Sequence, residues 1–363
     1  MSLFRSTKNS IFLLVLSAIA VTACGGGGGG GGGNNQNANG EWLIPEGHIR
    51  DGGPGPDGIP SIDNPIFEAA ATIATVDPDD MIIAIRHEGQ VKVYPHDIMD
   101  YHEIVNDGPD TNPFVLSYCP LTDSAVAWKG NASHADPTFG TSGLLYESNL
   151  ILYDRQTLTF WSQMLQVGIN GPRIRERPEQ LQIIETTFAT LQDMYPDAIV
   201  MTRDTGHTRQ YDRYPYGDYL TSGFMLFQVR NLDNRLFPKA RIIGIYNDDN
   251  AKAYQITGFG STTQTINDQF ADQSIVVVGN SDMRFAAIFD RRMSDGTILN
   301  FSPVHDDLPN IMSDDEGNVW DAFGTAVSGP RAGEQLGVTR SYKAMWFSWG
   351  SFHRDSEIHF NAG

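Results

Sequence analysis

The sequence predicts an α+β protein, mostly antiparallel β, made of two internally duplicated units packed in a pseudo-twofold relation. Three observations lead there. Short β-prone runs come in pairs joined by turn formers, as with Met81 to Arg86 and Val91 to Tyr94 around His87-Glu88-Gly89-Gln90. Strands do not alternate with helices, and no glycine-rich phosphate loop follows a strand, which leaves a doubly wound sheet and nucleotide binding without support. The pattern of the first half also returns in the second at an offset of about 155 to 161 residues. Arg241 to Tyr246 answers Met81 to Arg86, Ala251 to Tyr254 answers Val91 to Tyr94, and Ile275 to Val278 answers Phe114 to Ser117. Trp320 answers Trp161, Gly329-Pro330-Arg331 answers Gly171-Pro172-Arg173, and Ile358 answers Ile199.

Taken in order, the chain opens with Arg5 and Lys8 before an apolar run, Ile11 to Ala20, that is too short for a mature membrane span. Val21-Thr22-Ala23-Cys24 follows, small residues ending in cysteine, so residues 1–23 read as a lipoprotein signal and Cys24 as the lipidated first residue of the mature protein. Residues 24–58 read as a flexible tether rich in Gly, Asn and Pro, with order beginning near Ile59. The first unit spans 59–202, a connecting segment 203–240, and the second unit 241–363. Pro95 is placed to start a helix carrying Ile98, Tyr101 and His102 on one side, so that His102 leans to the core. Strands at Phe114 to Cys119 and Ser124 to Trp128 then flank a Cys-Pro turn. Short helices are expected at Phe188 to Tyr195 and Lys343 to Phe352.

With 363 residues the chain is long enough for two ordinary cores, and two domains are expected. A formal charge of -19, with no cluster of Lys or Arg, argues against nucleic-acid binding. The expected partners are the membrane, through the N-terminal lipid, and a small molecule or a metal. If Cys24 carries lipid, Cys119 is the only thiol left and no internal disulfide can form.

Cys119 is the sharpest chemical group. It stands where the second unit has Asn280, while His102 stands near the position of Thr263 and His353 near that of Pro196, so the duplicated scaffold itself does not demand them. Three readings stay open. Cys119 with His102 as base would make a thiol nucleophile. Cys119 with His102 and His353, or with His305, would suit copper or zinc, although no CxxC, HxH or HExxH spacing is present. The aromatic and polar clusters containing Tyr153, Arg155, Trp161 and Gln163, and Arg209 and Tyr211, would line a binding site for a polar ligand. Against these stand a buried cysteine, a core histidine and aromatic packing between units. His48, His87, His96, His134, His207 and His359 read as surface residues.

Ile59-Pro60-Ser61-Ile62-Asp63-Asn64-Pro65, Tyr101-His102-Glu103-Ile104-Val105-Asn106-Asp107, Tyr118-Cys119-Pro120-Leu121-Thr122, Ser142-Gly143-Leu144-Leu145-Tyr146 and Tyr153-Asp154-Arg155 together resemble the bacterial domain of unknown function 3179 family. Thr205-Gly206, Arg209, Tyr211 and Pro215-Tyr216-Gly217 fit it too, so the resemblance covers roughly 59–359. It implies no activity. Where relatives carry Cys-Pro-Leu-Cys this chain has Thr122, so a paired-thiol role is not implied here.

Overall fold

A computed structural model describes residues 40–130 and 138–359, and in them the expected β-prone runs pair into six mostly antiparallel sheets. The signal segment, Cys24, most of the tether and His134 lie outside the described residues. In the first hairpin, Met81–His87 pairs with Gln90–Pro95 across Glu88-Gly89, both at positive φ, the turn whose twist matches a β-ribbon. Ile183–Thr187 adds antiparallel on one side, Ile199–Met201 parallel on the other, and Phe67–Ala69 at the edge. The second half repeats this order. Arg241–Tyr246 pairs with Ala251–Gln255, Ser341–Met345 adds antiparallel, and Glu357–His359 adds parallel.

The other sheets correspond in the same way. Ile104–Asp107, Phe114–Cys119, Ser124–Lys129 and Gln180–Leu181 form one meander, and Gln264–Phe270, Gln273–Asn280, Phe285–Asp290 and Gly337–Val338 form its counterpart. Phe139–Tyr146, Asn149–Asp154, Phe160–Ser162 and Val167–Asn170 answer Phe301–Pro303, Asn310–Asp314, Val319–Asp321 and Ala326–Ser328. Side-chain bonds recur with the strands. Asp107 accepts from Lys92 Nζ at 2.8 Å and Tyr94 Oη at 2.6 Å, as Asp268 does from Lys252 and Tyr254 at 2.8 and 2.7 Å. Asn106 exchanges two bonds with the backbone of Phe139, and Asn267 does so with Phe301. Trp161 donates to Asp154 at 3.0 Å and Trp320 to Asp314 at 2.8 Å. Two copies of one unit would give this pattern.

Three short α-helices stand among the described residues. Helix α1, His96–His102, begins where Pro95 ends its strand and stops at Glu103, held in the left-handed region at φ 58. Helix α2, Phe188–Met194, is capped by Thr187 Oγ1 accepting from Thr190 N–H. Helix α3 is Trp346–Phe352; Lys343, expected in it, belongs instead to the preceding strand, where every residue of Ser341–Met345 is buried.

The expected pair of separate domains is not what forms. One core gathers Ile82, Ala84, Val93 and Phe188 from the first half with Val276, Phe285, Phe289 and Trp320 from the second. Another joins Val126, Trp128, Leu152 and Cys119 to Ile242, Tyr342, Trp346 and Trp349. The halves exchange apolar faces, and the described residues from Gly40 onward make one compact unit. Two further corrections concern segments expected in water. Part of the tether is ordered: Ile44 is buried, Trp42 stacks on Phe160 at 5.3 Å, and Ile49–Asp51 pairs with Phe139–Tyr146, because Trp42-Leu43-Ile44 offers apolar surface worth burying. His87 and His96 are also buried, against Phe114 and Tyr118 respectively, with ring centroids 4.7 and 4.4 Å apart.

Candidate functional site

Cys119 ends its strand and pairs with Ser124 across the turn, which fixes the thiol inside the core shared by the two halves. It is fully buried, 3.9 Å from the carbonyl oxygen of Ser148. Burial, and then the neighbouring Glu103, push its pKa up to about 12. A thiol so placed stays protonated and is a poor nucleophile.

His102 is equally enclosed. Its Nδ1 lies 2.8 Å from the Pro60 carbonyl, which can only accept, so Nδ1 carries the proton and Nε2 accepts from Tyr211 Oη at 2.7 Å. Tyr211 is held in turn by Thr205. Burial lowers the pKa of His102 to about 4. Both ring nitrogens are occupied, so none is left to take the proton of Cys119. His353, at the end of α3, meets Tyr342 Oη at 2.7 Å between the rings of Tyr246 and Trp349, and burial brings its pKa to about 3. Among the described residues no three His, Cys, Asp or Glu side chains are gathered to hold a metal ion, so Cys119, His102, His353 and His305 do not form the copper or zinc centre that their residue types allowed.

The aromatic and polar candidates divide by role. Tyr153 and Arg155 fasten the Asp57–Asp63 loop, Arg155 reaching Asp57, Ser61 and Asp63. Trp161 is buried on Asp154. Gln163 uses its whole amide inside the core, accepting from Ser124 and Asn149 and donating to Ser117 Oγ and the Ser124 carbonyl. Arg209 is exposed, and the side-chain bond it makes is to the Thr208 carbonyl beside it.

What adjoins the thiol is a carboxyl. Glu103 lines a cavity of about 100 Å³ whose walls are Ile59, Leu121, Leu145, Leu150 and the strap residues Leu226 and Phe227. It is 6% exposed and accepts no side-chain hydrogen bond from the described residues; burial raises its pKa to about 8. The connecting segment 203–240 forms no helix or strand and crosses this region as a strap, with Tyr219 donating to the Leu121 carbonyl, Ser148 to that of Phe227, and Arg230 paired with Glu147. Behind the cavity, Asp123 is bound by Arg241 at 2.5 Å and by Tyr118 at 3.0 Å. Burial opposes its charge, but Arg241, His96 and Lys343 overcome that and hold the carboxyl well below the usual range. Asp100 fares differently: burial, then Asp123, Asp97 and Glu103, raise its pKa well above normal, and its Oδ1 is buried with no partner.

A larger cleft lies elsewhere, along the seam of the halves. It holds about 700 Å³ and is lined by five glutamines, Gln166, Gln180, Gln182, Gln273 and Gln335, with Asn247 and Tyr246. Its cations are paired with acids: Arg86 with Asp321, Lys129 with Glu179, and Arg177 and Arg340 both with Asp248. Gln166 Nε2, Gln180 Oε1 and Tyr246 Oη are buried without a hydrogen-bond partner. Burial raises the pKa of Tyr246 well above the usual phenol range; Gln166 lies close enough to oppose this in part, though the two fall short of hydrogen-bond geometry.

Residues 56–356 match the family described as a protein of unknown function (DUF3179). The chain belongs to that family. No curated protein and no solved structure matches it. In this DUF3179 protein the matched stretch contains Cys119, His102, Glu103, the strap and the residues of the seam cleft. Sequence reasoning found the thiol and the strap but passed over Glu103, which sits in the quoted Tyr101-His102-Glu103-Ile104 run. The available signal was an acid between a core histidine and an apolar strand, answered in the second half by Gln264. The seam glutamines carry no such signal, since they are scattered from 166 to 335 and only folding gathers them.

Proposed function

We propose that this DUF3179 protein is an extracytoplasmic lipoprotein, anchored in the cell envelope through Cys24, whose folded part is a binding module for a neutral polyhydroxylated ligand, a glycan, seated in the seam cleft. The anchor is supported by the sequence at Val21 to Cys24, and mass analysis of the N-terminal peptide tests it: an unmodified start at another residue removes it. The cleft reading is supported by the amide-rich lining, in which Gln166, Gln180 and Tyr246 each also hold a buried polar atom without a hydrogen-bond partner. A buried polar atom left unpaired costs about 1–3 kcal/mol, which a bound hydroxyl would recover.

The chemistry of the lining favours a neutral ligand over an anion. The four cations of the cleft are offset by the three acids that pair with them and by Asp272 of the lining, so no surplus charge faces the ligand. Amides both donate and accept, as sugar hydroxyls do, and the rings of Phe323 and Tyr246 lie under the guanidinium groups of Arg86 and Arg340, at 4.6 and 5.6 Å, giving flat surfaces with polar tops. The volume falls within the usual range for a ligand site. Calorimetry with chitotetraose and maltotetraose tests the reading. At least one should bind, and Tyr246→Phe and Gln273→Ala should each weaken it about tenfold, roughly 1.4 kcal/mol. Unchanged affinity in both variants, or binding of polyanions in place of these sugars, would overturn it.

A further inference from the structure

The Glu103 cavity is separate from the seam cleft, shares no lining residue with it, and asks for a different ligand. Its carboxyl is the one acidic side chain of the lining, with no Lys, Arg or His beside it, and everything else in reach of a ligand is apolar, a glycine or proline, one threonine or the Tyr216 ring. Buried acids elsewhere are paired, Asp123 with Arg241 and Glu147 with Arg230, whereas Glu103 and one oxygen of the neighbouring Asp100 are not. Glu103 instead occupies a left-handed backbone position that a non-glycine residue adopts at a cost, and that position turns it out of α1. Gln264 holds the corresponding place in the second half and is exposed, so the shared scaffold does not require an acid there.

From this juxtaposition of an unpaired carboxyl with an apolar cavity we infer that the cavity is a binding site for a small aliphatic primary amine, its ammonium group on Glu103 and its chain between Leu121, Leu145, Leu150 and Phe227. The size fits, since about 100 Å³ holds about three waters or a chain of a few carbons. The sign fits as well. The groups that feel the charge of Glu103 are Asp100 from α1, Cys119 from the neighbouring strand and Tyr216 from the strap; none is a cation, and Asp97 and Asp123 add further negative charge near Asp100. A carboxylate ligand would meet this field with no counter-charge, while an ammonium relieves it. The ring of Tyr216 adds a face for the cation. Leu226, 46% exposed, sits at the mouth, so the site opens to solvent under the strap.

Amine binding draws on the ionised carboxyl, and in the free protein Glu103 gives up its proton only near pH 8. The amine itself stays charged to about pH 10. Affinity therefore rises with pH between 6 and 8, by about fiftyfold, as the competent fraction grows. The test is calorimetric titration of the full chain with n-butylamine, n-butanol and butyrate at pH 6 and pH 8. Butylamine should bind in preference to the other two, more tightly at pH 8, with release of a proton visible as a buffer-dependent heat. Glu103→Gln should abolish that preference, and Leu226→Trp, an exposed substitution that leaves the core alone, should block entry. No butylamine binding at pH 8, equal binding of butanol, persistence of the amine preference in Glu103→Gln, or persistence of binding in Leu226→Trp would overturn the inference. Sugar binding at the seam is untouched by both variants, so the two sites fail independently.

Discussion

At the scale of single residues, burial decides the chemistry that residue type leaves open. His102 and Cys119 are adjacent in the pattern of the chain, yet each is spent on its own enclosure, the imidazole between Pro60 and Tyr211 and the thiol inside a core. The same burial sets the pH dependence of stability. His102 and His353 remain neutral in the folded protein down to about 4 and about 3, whereas in the unfolded chain they protonate near 6.5. Between those values the unfolded state binds more protons, so stability falls as pH drops from 6.5 toward 4. Glu103 acts in the opposite direction. Its folded pKa of about 8 lies above the ordinary 4.5, so the stability linked to its proton is full below 4.5 and is lost as pH rises through 8. Thermal melts from pH 4 to 9 should show both limbs. Glu103→Gln should flatten the alkaline one and His353→Phe the acid one; a melting temperature that is level across the range, or limbs indifferent to these changes, would show that burial has been misjudged.

At the scale of elements, the matched hairpins show how a repeated pattern is adapted. Ala84 in the first half and Gly244 in the second occupy equivalent strand positions. A Cβ on Gly244 would come within 2.3 Å of the Trp349 ring, which lies flat on the strand. Helix α3 can sit that close because the side chain is missing. Gly244→Ala should therefore force the indole aside and destabilise by about 1–3 kcal/mol, readable from a denaturant midpoint. Loss of under about 0.5 kcal/mol would mean that α3 shifts freely. The start of α1 was legible from Pro95, and short helices were expected at Phe188 to Tyr195 and Lys343 to Phe352. The end of α1 was not, because the left-handed turn at Glu103 comes from packing against the next strand, where Glu103 accepts a backbone bond from Tyr118.

At the scale of the whole molecule, the halves hold one another together. The Ile183–Thr187 strand of the first packs on Phe285–Asp290 of the second, while Ser341–Met345 of the second packs on Ser124–Lys129 of the first, so each half completes the other's core. Urea unfolding should then be a single transition with coincident fluorescence and circular dichroism, Trp128 and Trp161 losing their environment together with Trp320 and Trp349. Two resolved transitions would restore the picture of separable domains.

The sequence by itself determined the β-rich class, the repeated order of elements, the two matched hairpins and the family, because each is written in local spacing: alternation, turn residues and a near-constant offset. Tertiary structure alone decided which faces the halves exchange, that Trp42 to Asp51 joins the fold, that Cys119 lies beside Glu103 with His102 already spent, and that five glutamines from four separate segments of the chain, Gln180 and Gln182 sharing one, line one cleft. Those outcomes depend on which apolar surface finds a partner and on how much water each polar group loses. Both are properties of contacts between residues far apart in the chain, and spacing does not encode them.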